Sequence, residues 1–288
     1  MADTDGSLTR RAALAACLTF IPALPAAAQQ IQQPIVAPAP ARAEFFSRYD
    51  FHMSIDRLMR SQTPQQNALD QRFSWDAHFG GSFDVVDYVV GRAAVLVDYQ
   101  AVMGREYRPF DPNQANYTLE ASVSGRVSDR TEVAAIFHHV SRHLSDRPKA
   151  FAIAWNELGA RVLHRRTFGA TTLDLDLEGG HVTQHSYVDY TWMGELHVLV
   201  RRPITRHAGL FAHGLGQGFL VDDGSAPVSP RLPARNPQAG SRIEGGVRLN
   251  GRGGAMEIFL GYEKRVDADP LDRQPQRWAL AGFRLLSK

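Results

Sequence analysis

The chain has 288 residues, a formal net charge of +2 and 22% charged residues. Its 32 basic residues are scattered in runs no longer than pairs such as Arg165-Arg166 and Arg201-Arg202, which argues against a nucleic-acid partner. A single cysteine, Cys17, excludes a disulfide and a thiolate metal site.

In chain order, residues 1–28 read as a signal peptide: Arg10-Arg11 precede the apolar "AALAACLTFIPALPAAA", and Ala26-Ala27-Ala28 set small residues before Gln29. Cleavage there would leave the mature chain without a thiol. "LAAC" at Leu14 to Cys17 resembles a lipoprotein cleavage box, but the five residues between Arg11 and Cys17 are too few for an apolar core. "LTRRAAL" resembles a twin-arginine signal and ranks below the general secretory route. Residues 29–43 open on "QQIQQPIVAPAPAR", without apolar periodicity, and are expected to form a flexible lead-in.

From 44 to 288 the period is two. "FSWDAHFGGSFDV" sets Phe73, Trp75, Ala77 and Phe79 against Ser74, Asp76 and His78. "YTLEASVSGRV" sets Leu119, Ala121 and Val123 against Glu120, Ser122 and Ser124, and "TTLDLDLEG" sets Leu173, Leu175 and Leu177 against Asp174, Asp176 and Glu178. About twelve such segments are expected, near 45–58, 72–85, 88–102, 116–127, 131–143, 151–165, 170–180, 187–201, 206–221, 240–250, 253–265 and 276–287. Each runs about ten to fifteen residues, longer than the roughly five or six of soluble sheets and long enough to cross a bilayer at a tilt.

The links alternate as well. "VSDRT", "RRTFG", "RRPITRH" and "LNGRGG" are tight, whereas "MRSQTPQQNALDQ", "MGREYRPFDPNQAN", "VDDGSAPVSPRLPARNPQAG" and "RVDADPLDRQPQ" are long and polar. Alternating short and long ends characterise an outer-membrane barrel with brief periplasmic turns and longer external loops. In hydrocarbon every amide must be paired, so the sheet must close, with apolar residues outside and charged ones within. A water-soluble sandwich would alternate too. The export signal, strand length, loop asymmetry and aromatics near strand ends (Tyr88, Tyr117, Phe151, Tyr187, Trp278) favour the membrane.

The expected fold is therefore all-β, an antiparallel transmembrane barrel of about 12 strands. Asp76, Glu120, Arg126, Glu132, Asp174, Asp176, Arg242 and Arg248 are its expected lumen residues, pairing as a plug of salt bridges rather than lining a selective pore. "GLGQG" at Gly214 to Gly218 has no following helix to cradle phosphate and suits a bend.

One strand carries chemistry. In "FHHVSRHLSDR", Phe137 to Arg147, the residues Phe137, His139, Ser141 and His143 share one side, and Ile136, His138, Val140 and Arg142 the other. A three-residue link before it would set Arg126 against Glu132 inside and turn His139 and Ser141 outward; a two-residue link would turn them inward. The first is favoured. The strand runs toward a long loop, which puts these residues at the external rim. Ordinary interfacial histidines and serines would look the same, metal binding by His139 and His143 lacks a matching carboxylate pair, and no cofactor is implied.

The His-x-Ser pair followed on the next strand by "NELG" resembles the lipid A 3-O-deacylases, outer-membrane barrels that hydrolyse an acyl ester at the outer rim. That resemblance implies Ser141 as nucleophile, His139 as base, Glu157 as the orienting acid and Asn156 as an oxyanion donor. In that family an Asn follows the Ser; Arg142 stands here. "HHVSRHLSDR" is also similar to the His-x-Ser-Ser-His-Leu-Gly-Asp segment of uncharacterised proteobacterial outer-membrane proteins, which implies location rather than chemistry. The expected role is structural, interactive or that of a narrow pore in a Gram-negative outer membrane, with lipid acyl-ester hydrolysis as the alternative. The expected partners are lipopolysaccharide and, during biogenesis, the barrel-assembly machinery; the expected state is a monomer.

Overall fold

The computed structural model describes residues 35–60, 71–105, 107–144, 151–222, 235–271 and 273–287. The signal peptide, the start of the lead-in and the tips of several long loops lie outside the described residues.

Among the described residues there are thirteen strands: β1 (Glu44–Phe45), β2 (Tyr49–Arg60), β3 (Trp75–Asp87), β4 (Arg92–Gly104), β5 (Asp111–Ser128), β6 (Thr131–Leu144), β7 (Ile153–Phe168), β8 (Thr171–Ser186), β9 (Tyr190–Pro203), β10 (Ala208–Val221), β11 (Gln238–Asn250), β12 (Gly254–Arg265) and β13 (Gln276–Ser287). From β2 to β13 each pairs antiparallel with its neighbour in sequence, and β13 pairs back onto β2, closing a 12-stranded barrel. β1 adds two residues against β3.

The side-chain distribution is the reverse of a soluble protein's. Leu260, Phe79 and Leu177 face outward at 69%, 56% and 55% exposure, while Asp76, Glu263 and Arg242 face the lumen at 0%, 0% and 1%. In water that apolar exterior would far exceed the few hundred Å² a monomer tolerates. Against hydrocarbon it is the matched surface, and closure leaves no sheet edge, so the chain is a transmembrane barrel.

Lumen charges are stable only where paired. Arg242 holds Asp56 at 2.7 Å, Glu244 at 2.9 Å and Glu263 at 3.2 Å. Arg161 grips Glu120 and Glu178 and lies 3.3 Å from Asp176. Arg265 bridges Asp76 and Glu263. Arg126 and Glu132 are ladder partners, as the sequence predicts, yet they do not form the expected ion pair. Arg126 reaches Asp87 at 2.5 Å, and Arg92 takes Glu132 at 2.8 Å, because long guanidinium arms cross to better-placed carboxylates on neighbouring strands.

The ends are stoppered. Beyond β12 the chain turns inward, burying Val266 and Ala268. Arg142 donates to the Asp267 carbonyl at 2.7 Å, Tyr190 Oη–H to the Asp267 carboxylate at 2.5 Å, and Arg235 to both Asp267 and Asp189. Burial alone would raise the Asp189 carboxyl, but Arg235 and Arg273 outweigh it and hold the group below its ordinary range. At the short-turn end, Arg92 donates to the carbonyl of Ile35 at 3.0 Å and Arg126 to that of Ala37 at 3.3 Å, so the lead-in is anchored inside the barrel at these residues. Trp278, expected in an interfacial belt, is instead 1% exposed inside the lumen. It shares the inward face of β13 with Leu280 and Arg284, and Arg265 lies over its ring.

Candidate functional site

The direction of the β6 side chains is set at its preceding turn. Ser128 pairs with Thr131 across Asp129 and Arg130, and the register then skips Val127, so that Arg126 meets Glu132. A two-residue turn plus one bulged residue has the same effect on facing as a three-residue link. Val133, Phe137, His139, Ser141 and His143 consequently point outward, and Glu132, Ile136, His138, Val140 and Arg142 inward.

Two rows cross this outward face near the long-loop end. One runs Tyr99, Tyr117, Ser141, Ala154, Ser186; the other runs Val97, Leu119, His139, Asn156, Gln184. In the first row the Ser141 hydroxyl is 2.9 Å from Nε2 of His143, whose ring meets Tyr117 edge-on at 5.2 Å. In the second, Nδ1 of His139 is 2.6 Å from Oδ1 of Asn156, and Asn156 Nδ2–H donates to Gln184 at 2.9 Å. An amide oxygen can only accept, so Nδ1 of His139 carries a proton, and in the neutral imidazole the lone pair lies on Nε2.

The residues singled out from sequence fall in two groups. His139, Ser141 and Asn156 share the outward face. Glu157 does not join them: it is 2% exposed on the lumen side of β7, so close over Gly180 that a Cβ there would lie 2.6 Å from its Oε1. Alternation makes this unavoidable, since adjacent residues on one strand face opposite ways. Asn156, cast as an oxyanion donor, spends its oxygen on His139 and one N–H on Gln184, which leaves one N–H. The sequence places His143 on the face of Ser141 but does not give their contact, which is a matter of rotamer along one strand; the place of Gln184 beside Asn156 follows from register, which the skipped Thr183 on β8 determines.

The expected lumen residues all lie inside. Beyond the pairs already given, Asp174 is shared by Arg165 at 2.6 Å and Arg201 at 2.5 Å, and Arg248 holds Glu257 at 2.7 Å. Among the described residues no group of three or more His, Cys, Asp or Glu is arranged to hold a metal ion.

No family model matches this chain, and no curated protein matches it. Among solved structures it is similar to LpxR from Salmonella typhimurium, with a TM-score of 0.47 and 7% identity over 83% of this chain and 99% of that one. It is similar also to outer membrane phospholipase A from Escherichia coli, with a TM-score of 0.48 and 10% identity over 85% and 98%. The Acinetobacter baumannii outer membrane protein Omp33 matches at 0.39 and 9% identity over 83% and 97%. Likeness at these levels is one of barrel shape and says nothing of chemistry.

Proposed function

We propose that this chain is an outer-membrane protein of a Gram-negative bacterium whose external rim hydrolyses acyl esters of outer-leaflet lipids. The observation that carries the reading is a serine on the lipid-facing side between two imidazoles, His143 touching its hydroxyl and His139 held by Asn156. His143 also demonstrates that an imidazole two residues away on one strand face can reach Ser141 Oγ. His139 stands at the same spacing on the other side, in the tautomer that leaves Nε2 basic.

Ser141 is the nucleophile and His139 the base oriented by Asn156, the arrangement a nucleophile, base and orienting group require. Rotation of the Ser141 side chain away from His143 brings its proton to Nε2 of His139 as Oγ bonds to the ester carbonyl carbon. Collapse of the tetrahedral adduct expels the alkoxide, which takes that proton; water then repeats the cycle on the acyl-serine and frees the fatty acid. The remaining N–H of Asn156 is available to the oxyanion. Lipopolysaccharide and phospholipid, whose ester carbonyls lie at this depth, are the substrate class, and the barrel works as a monomer after insertion by the assembly machinery.

The test is fatty-acid release from lipid A and from phospholipid in mixed micelles by the refolded barrel. Release is expected, and Ser141→Ala is expected to abolish it while heat-modifiable migration on gels is unchanged. No release from either lipid, or release that survives Ser141→Ala, would reject it and leave a closed structural or interaction barrel.

A further inference from the structure

At the short-turn end, beside the anchored lead-in, the barrel interior opens into a vestibule of about 530 Å³. That is the size of a small-molecule site. Its walls carry Arg165, Thr167, Thr172, Arg201, Arg248 and Asn250, and Ile35 lines it as well. Thr167 and Thr172 face each other across the Gly169–Ala170 turn, where Gly169 takes the left-handed φ of 57°.

The charge is layered. Asp174 and Glu257 lie deep, with side chains 3% and 2% exposed, whereas Arg165, Arg201 and Arg248 stand at 30%, 24% and 19%. Two guanidinia share Asp174, and Glu257 is shared between Arg248 and Arg284. Asp174 therefore aims Arg165 and Arg201 without neutralising both, whereas Glu257 matches Arg248, because Arg284 also answers Glu244. Arg165 uses one N–H on Asp174, Arg201 uses one, and Arg248 uses two, on Glu257 and Asn250. Each guanidinium carries five N–H donors, so N–H groups of all three remain without partners among the described residues.

We infer that this vestibule binds a small oxyanion, a phosphate or carboxylate group, entering from the periplasmic side. Planar guanidinia already aimed by buried carboxylates suit oxygen-rich anions, and the two threonine hydroxyls add neutral donors at the same depth. The deep lumen network has the opposite balance, with Arg242 serving three carboxylates, whereas here Arg165 and Arg201 share one carboxylate beside an open cavity.

The test titrates inorganic pyrophosphate calorimetrically into the folded barrel at low ionic strength, where exposed charges are least screened. Saturable binding near one site per chain is expected, weakened tenfold or more by Arg201→Gln or Arg248→Gln and several-fold by Thr172→Val, which touches no ion pair. Arg252→Gln, on the β11–β12 turn outside the cavity, is expected to change nothing. Absence of saturable binding, or equal weakening by Arg252→Gln, overturns the inference; the second result would mean diffuse attraction to a basic rim. Nanodiscs with and without phosphatidylglycerol identify the source. Competition by the lipid assigns the site to a headgroup, and indifference assigns it to a free anion.

Discussion

Asn156 accepts from Nδ1 of His139 at 2.6 Å, leaving the imidazole lone pair on Nε2, the atom a serine proton needs. His139→Ala is therefore expected to lower fatty-acid release by roughly 10²- to 10⁴-fold, the usual worth of a positioned base. Glu157→Gln is expected to leave release unchanged, because its carboxyl lies across the barrel wall. Equal losses in the two variants would contradict the assignment. A lumen residue makes the opposite kind of prediction. Arg242 is 1% exposed and serves Asp56, Glu244 and Glu263; Glu244 keeps Arg284 and Glu263 keeps Arg265, but Arg242→Met leaves buried Asp56 without its cation. Breaking a buried pair in this way costs about 3–5 kcal/mol, to be read from urea unfolding in micelles.

At the scale of elements, the inward turn after β12 depends on the segment between β8 and β9. Asp189 is held below its ordinary value of 3.8, so its stabilising share is complete above that value. The share is lost as the pH falls through the lower, folded value. Lowering the pH below about 4 is expected to shift the urea midpoint of the native chain more than that of Asp189→Asn; parallel shifts would show that the group contributes nothing. The elements themselves were legible, because apolar and charged residues alternate strictly where one wall meets lipid and the other a filled lumen. The facing of β6 was legible only as a preference, since the choice between a two- and a three-residue link rested on setting Arg126 against Glu132, which the ladder does. Lateral neighbours were not. That Asn156 meets Gln184 depends on the skipped Thr183 in the β7–β8 pairing, and that Ser141 meets Tyr117 on the bulge at Val127 in the β5–β6 pairing; neither leaves a mark on the alternation. Glu157 could have been excluded from the rim by parity alone, once Asn156 was placed on the outward face.

For the whole molecule, a lumen crossed by ion pairs, stoppered by Val266 to Asp269 at one end and anchored to Ile35 and Ala37 at the other, is expected to pass no ions. Planar-bilayer recordings should show no stable conductance steps, and regular steps would contradict a filled barrel. The inversion of inside and outside underlies every other statement, and the protein's tryptophans report on it. Trp192 faces outward at 52% exposure, and Trp278 is enclosed at 1%. The most direct measurement is fluorescence quenching by lipids brominated on the acyl chain, in chains that retain only Trp192 or only Trp278. Strong quenching of Trp192 and little of Trp278 is the predicted result; equal quenching of both, or none of Trp192, would contradict the account.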